Sequence, residues 1–232
     1  MLNKLLSLFF ITFYAATVLA IDLKKEDDQV AYSLGCVAGE HIKSQEKIGI
    51  AINTDTFIQG FKDTLNNKQQ LNQEQIIKAL NIMKNKQLEE QTKHLKKTSA
   101  INLKKGQEFL EKNKKTAGIV ELKNGLQYQI INSGDPSSKS PNINDQVAVQ
   151  YRGTLLDGTE FDSSYNKSEP VVFPLKSLIK GWQEALLLMK PKDKWKIFVP
   201  PQLAYGTEGA GHIIEPNSVL VFDIELVSVN PT

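Results

Sequence analysis

Between Lys112 and Ala117 the apolar residues of this chain change their period, and that change separates two kinds of structure. Upstream they recur at spacings of three and four, as on one face of a helix. From Gly118 onward they alternate, as on one face of a strand. A chain patterned in this way folds as a helical unit followed by a sheet-based one, an α+β organisation.

In the upstream part, Val30, Leu34, Val37, Ala38 and Ile42 predict a first helix, with Gly35 and Gly39 near its apolar face. A second is expected after Asn53-Thr54-Asp55, striped by Phe57, Ile58, Phe61 and Leu65. Asn72 followed by Gln75 is a capping-box pattern that opens a third. No proline or glycine then interrupts the chain before Gly106, so a helix from Gln73 to Lys105 would span roughly 50 Å. Its first half carries Ile76, Ile77, Leu80 and Met83, a face able to pack on the earlier helices. Glu89 through Lys115 is mostly Lys, Glu, Gln and Asn and reads as a connecting stalk.

Downstream, Val120 and Leu122 face Leu126, Tyr128 and Ile130 across Asn124-Gly125, a hairpin signal. Ser133 to Asn144 reads as a loop. Further strands are expected at Val147–Tyr151, Val171–Leu175, Trp195–Val199 and Leu220–Leu226. One short helix carries Ile179, Trp182, Leu186 and Met189 on a single face. The expected architecture is a mostly antiparallel sheet packed on that helix.

The first twenty residues form a class of their own. Lys4 precedes the apolar stretch Leu5 to Leu19, and Val18-Leu19-Ala20 places small residues where a signal peptidase cuts. Acidic and basic residues from Asp22 to Asp28 follow at once, so we expect a cleaved export signal rather than a membrane anchor. Cys36 is the sole cysteine, which excludes an intrachain disulfide. A buried thiol is the plain expectation for it, and an intermolecular bridge the alternative.

A net charge of +2, with Arg152 as the one arginine, argues against nucleic acid as the main partner. His41, His94 and His212 lie far apart and no zinc-binding spacing exists, so no metal and no cofactor is expected. No serine sits in a nucleophile elbow. His212 reads as a surface loop residue.

Five segments stand out instead: Val149-Gln150-Tyr151-Arg152-Gly153, Phe161-Asp162-Ser163-Ser164, Leu178-Ile179-Lys180-Gly181-Trp182, Leu203-Ala204-Tyr205-Gly206 and Val221-Phe222-Asp223-Ile224-Glu225-Leu226. Taken singly, Phe222 and Trp182 read as core, Asp162 as a turn residue and Tyr205 as a loop anchor. In this order and spacing the five together resemble the FKBP-type peptidyl-prolyl cis/trans isomerases over about Ala117 to Val229. The helical part resembles the dimerisation region of the Mip-like and FkpA-like bacterial branch.

The resemblance implies a sheet wrapped around the short helix with an apolar pocket between them. Tyr151, Phe161, Asp162, Tyr205 and Phe222 would be its catalytic residues. Val171, Leu178, Ile179, Trp182 and Ile214 would bind substrate, with Trp182 as the floor and 207–216 as a flap. Val171 departs from the aromatic usual in small members of the family. The implied partners are proline-containing polypeptides and unfolded exported proteins, a second copy of the chain, and the inhibitors rapamycin and tacrolimus. The implied location is the periplasm or the cell surface, with loose association with the outer membrane.

The expected domains are a signal peptide (1–20), a helical dimerisation domain (21–90), a connecting helix (91–116) and an isomerase domain (117–232). Rotation about an X-Pro amide makes and breaks no covalent bond, which suits a chain lacking a nucleophile or metal motif. The alternative reading is a non-catalytic module that grips proline-containing peptides.

Overall fold

Asn72 and Gln75 cap each other. The Gln75 N–H donates to Asn72 Oδ1 and the Asn72 N–H to Gln75 Oε1, both at 2.9 Å. This reciprocal pair starts α3 (Gln73–Asn113). Ahead of it lie α1 (Glu26–Lys47) and α2 (Thr54–Leu65), the latter opened by Asn53 Oδ1 accepting from the Thr56 N–H at 2.8 Å. The structure, a computed structural model, describes residues 23–167 and 169–230. The expected export signal lies outside the described residues.

The described residues part into two compact units that divide between Gln87 and Leu88. In the first, α1 and α2 leave their apolar faces uncovered: Leu34 is 68% exposed, Val37 69%, Phe61 59% and Leu65 69%. Ile77 and Leu80 on α3 are also exposed. Ile50 and Gln45 are the buried residues here, and the Gln45 side chain is hydrogen-bonded to that of Gln87. Cys36, expected to be buried, is exposed on α1, because the face it occupies has no cover within the chain.

The second unit is built on a seven-stranded antiparallel sheet. Its strands are β1 (Ile119–Glu121), β2 (Gln127–Asn132), β3 (Gln146–Leu155), β4 (Glu160–Ser163), β5 (Val171–Pro174), β6 (Lys194–Val199) and β7 (Leu220–Asn230). They run in the order β1-β2-β6-β7-β3-β4, with β5 also paired to β3. The Asn124-Gly125 turn joins β1 to β2, with Gly125 at a φ of 89° that suits a residue without a side chain.

Alternation decides which side chains enter the core. Leu220, Phe222, Ile224 and Leu226 of β7 face inward with Val147, Val149 and Tyr151 of β3 and Trp195, Ile197 and Val199 of β6. Against them lies α4 (Lys180–Leu188), which contributes Trp182, Ala185 and Leu186. Burying each large side chain contributes about 1.5–3 kcal/mol. Truncating fully buried Leu220 to Ala should cost about 2–5 kcal/mol.

The end of α3 runs through Gly106 to Asn113, and where the sequence suggested a connecting stalk it lies on the sheet. The Phe109 ring sits 5.7 Å from that of Phe198. Fully buried Gln127 donates to Leu110 O at 2.9 Å and accepts from Asn113 Nδ2 at 2.9 Å. Phe198 and Gln127 pair across β6 and β2 and point away from the face that holds α4. The sheet thus has a helix on each side. Packing against the sheet also offsets the ordinary cost of a glycine within a helix, about 1 kcal/mol.

Candidate active site

Trp182 enters from the first turn of α4, and three rings of the sheet meet its indole edge-on. Tyr151 lies 5.1 Å away at 83°, Phe222 5.2 Å away at 88° and Phe173 6.4 Å away at 87°. Phe161 stands perpendicular to Phe222 at 5.5 Å. Edge-to-face pairs of this kind are favourable beyond the area they bury. Trp182 Nε1 is buried and finds no hydrogen-bond acceptor among the described residues.

Gly153 makes the wall possible. It opposes Phe222 on β7 and Asp162 on β4. A Cβ at this position would lie 2.7 Å from the Phe161 ring and 2.9 Å from that of Phe222. Only a residue without a side chain lets both rings lie over the strand.

The polar edge is a single connected group. Tyr151 Oη donates to Asp162 Oδ2 at 2.7 Å, and the other Asp162 oxygen accepts from the Ser163 N–H at 2.9 Å. Burial pushes the Tyr151 phenol well above its ordinary range, and the hydrogen bond and charge of Asp162 add to that shift, as does nearby Tyr205. Tyr151 therefore stays a donor. Its backbone is fixed from behind by fully buried Ser164. Ser164 Oγ accepts the Tyr151 N–H at 2.7 Å and donates to Gln150 Oε1 at 2.5 Å, while Ser164 N–H bonds Tyr151 O at 2.9 Å.

Around this centre the structure gathers the residues singled out from the sequence. Phe161, Val171, Leu178, Ile179 and Ile214 are half-buried and pack against the same core as Tyr151, Trp182 and Phe222. Tyr205 is 41% exposed, at the start of the segment that carries Ile214, and Asp162 is also exposed. Ile179 caps α4, and among the described residues its N–H has no backbone acceptor. His212 is exposed, as a loop residue should be. The sequence pattern does not single out Phe173, and it marks Gly153 and Ser164 only as members of their segments, without a role. Phe173 was within reach, since it alternates with Val171 and shares its face, and its ring packs near those of Tyr151 and Trp182.

Comparisons with known proteins bear on the family and the fold. Residues 137–227 match the FKBP-type peptidyl-prolyl cis-trans isomerase family, and residues 27–130 match the domain amino-terminal to it. The chain is 42% identical over 211 residues to peptidyl-prolyl cis-trans isomerase Mip of Coxiella burnetii, covering 90% of each chain. It is 39% identical over 212 residues to FkpA of Escherichia coli, covering 90% of this chain and 77% of that one. The crystal structure of E. coli FkpA superposes with a TM-score of 0.75, over 90% of this chain and 98% of that chain, at 39% identity. On the strength of both matched domains and of relatives aligned along nearly the whole length, the chain belongs to the FKBP-type peptidyl-prolyl cis-trans isomerase family, in the Mip and FkpA branch.

Proposed function

We propose that this isomerase lowers the barrier to X-Pro rotation by taking the amide out of water and holding it while it twists. The reading is carried by the Tyr151–Asp162 pair set against the ring cluster on Trp182. Amide rotation costs about 18–20 kcal/mol because resonance must be broken. The twisted amide is less charge-separated than the planar one, so a dry aromatic wall favours it over the ground state. Trp182, Tyr151, Phe161 and Phe222 receive the prolyl ring. Val171, Leu178 and Ile214 complete the apolar contact, and the Ile179 N–H and the Tyr205 hydroxyl are donors for the substrate carbonyls. Asp162 orients Tyr151 and transfers no proton. The test is the isomerisation rate of a short X-Pro peptide, with and without rapamycin or tacrolimus. A chain that binds the inhibitor without accelerating rotation would be a gripping module only.

A second part of the proposal concerns clients. The uncovered faces of α1, α2 and the start of α3 suit a homodimer formed through residues 21–90, joined by residues 91–116 to the isomerase domain at 117–232. Two pockets on one dimer raise the local concentration of an unfolded chain that touches both, which supports chaperone activity. A chain with Leu5 to Leu19 at its start and a relative named outer membrane protein MIP in Legionella longbeachae, 39% identical over 211 residues, supports export to the periplasm or cell surface. No described helix is long and apolar enough to cross a membrane. Proline-limited refolding of a whole protein, compared with the peptide rate at equal site concentration, tests the client role.

A further inference from the structure

The segment 207–216 leaves the sheet beside Tyr205 and rejoins it at β7. It closes on itself as a small hairpin: the Ala210 N–H donates to Ile214 O at 2.8 Å and the Ile214 N–H to Ala210 O at 3.1 Å. Its neck is shut by the Asn217 N–H donating to Gly206 O at 2.8 Å. A lone two-stranded hairpin is marginal in water, so its position over the aromatic cluster depends on what holds its root.

The returning limb of that root is held by α3. Asn102 Nδ2 donates to Pro216 O at 3.1 Å and to Glu215 Oε2 at 3.0 Å. Asn217 Nδ2 donates to Ser99 Oγ at 2.8 Å. One turn further along the helix, Gly106 lies so close to Val219 that a Cβ would come within 2.7 Å of its side chain. Ser99, Asn102, Gly106, Phe109 and Asn113 recur at spacings of three and four, one continuous stripe along α3. Its first two members touch the flap and its later ones the sheet.

We propose that Ser99 and Asn102 are positioning residues for isomerisation. By tethering Glu215, Pro216 and Asn217 they fix the root of the hairpin, and so hold Ile214 and Tyr205 at the pocket. The inference rests on the reading of Ile214 and Tyr205 as substrate contacts. Neither tether touches the reacting amide. Their loss loosens the flap and weakens peptide binding, while the aromatic floor stays built.

The experiment uses the full chain with Ser99→Ala plus Asn102→Ala, with Asn217→Gly, and with all three changes. Asn217 has a φ of 57°, which glycine adopts freely, so Asn217→Gly removes the tether without straining the turn. Lys104→Ala, on the same helix and away from the stripe, is the control. Hydrogen bonds of this kind change an equilibrium by roughly threefold to tenfold, so KM for an X-Pro peptide should rise by about that factor while kcat falls less. Amide exchange at Ala210 and Ile214 should quicken by a similar factor, with β7 amides such as Ile224 unchanged. Because Asn217→Gly and Ser99→Ala delete the same bond, their effects should not add. Unchanged KM and flap exchange in the folded variants would overturn the proposal. So would exchange that rises equally in the flap and in β7, since the tethers would then serve general stability. An inactive parent chain would overturn the functional reading instead, and the exchange rates would still decide whether α3 holds the flap.

Discussion

Tyr151 and Asp162, eleven positions apart on two neighbouring strands, share a hydrogen bond of 2.7 Å at the edge of an aromatic cluster. The phenol belongs to the core and the carboxyl to the solvent side, so the bond ties the dry interior of the site to its wet rim. Asp162→Ala should therefore lower kcat/KM by roughly tenfold, the order of one well-placed hydrogen bond, with little change in melting temperature. Tyr205→Phe should act in the same direction and more weakly. Peptide kinetics alongside circular dichroism check both; full activity in the two variants would mean that the polar rim has no part in rotation.

The pH dependence follows from Tyr151. Its folded pKa is raised, by burial first and then by Asp162. A raised value contributes stability that is fully present below the ordinary phenol value, about 10, and is lost only as pH climbs through the folded one. Neither activity nor stability should change on this account between about pH 6 and 9. A pH–rate profile on a short peptide, run with a solvent deuterium comparison, should be flat and nearly isotope-insensitive. A bell-shaped profile would point to proton transfer.

Gly153→Ala separates folding from site shape. The new methyl meets Phe161 and Phe222, and overpacking of this kind costs about 1–3 kcal/mol. The domain should still fold at room temperature, with a lower melting point. Activity should fall by much more than the folded fraction does, because the two rings that must move belong to the proposed pocket wall.

The proposed dimer would rest on the uncovered helices. Leu34 and Phe61 lie on exposed apolar faces in a unit whose described residues bury little apolar surface. Light scattering should give twice the mass of one chain at micromolar concentration, and Leu34→Glu or Phe61→Glu should shift it toward the monomer. The same two variants should leave the peptide rate intact.

Two truncations test how the isomerase half ends. A fragment 117–232 matches the point where the sequence changes period, but it strips α3 from Phe198, Gln127 and Val219. We expect it to melt well below a fragment 88–232 and to bind peptide more weakly. Equal melting points would mean that the end of α3 adds nothing to the fold.

Local signals in the sequence predict local structure here with good fidelity. Asn53, the Asn72–Gln75 pair and Asn124-Gly125 each act within a few residues, and each does in the structure what its pattern implies. The alternation of β3 and β7 likewise fixes which side chains line the site. The stripe on α3 escaped notice because hydrophobic periodicity looks for leucine and isoleucine, whereas this one is built of Ser, Asn, Gly and a single Phe. Its partners at 215–219 are more than a hundred residues away. The roles of Ser164 and Gly153, both of which stand inside the five segments, were invisible for a related reason. One acts through a buried hydroxyl and the other through an absent side chain, and neither leaves a mark on an apolar pattern.

The two tryptophans of the chain, Trp182 and Trp195, both lie in the sheet-based unit. Trp182 lies at the centre of the ring cluster proposed to take the prolyl ring, while Trp195 stacks flat on Tyr128 at 4.3 Å, at 9° between the rings. Intrinsic indole emission is therefore a built-in gauge of the isomerase half alone. Ligand arrival should disturb the colour of one fluorophore, and fraying of β2 from β6 that of the other. The helical unit can associate or melt without altering either signal directly, so a fluorescence melt and a calorimetric melt of this protein need not coincide.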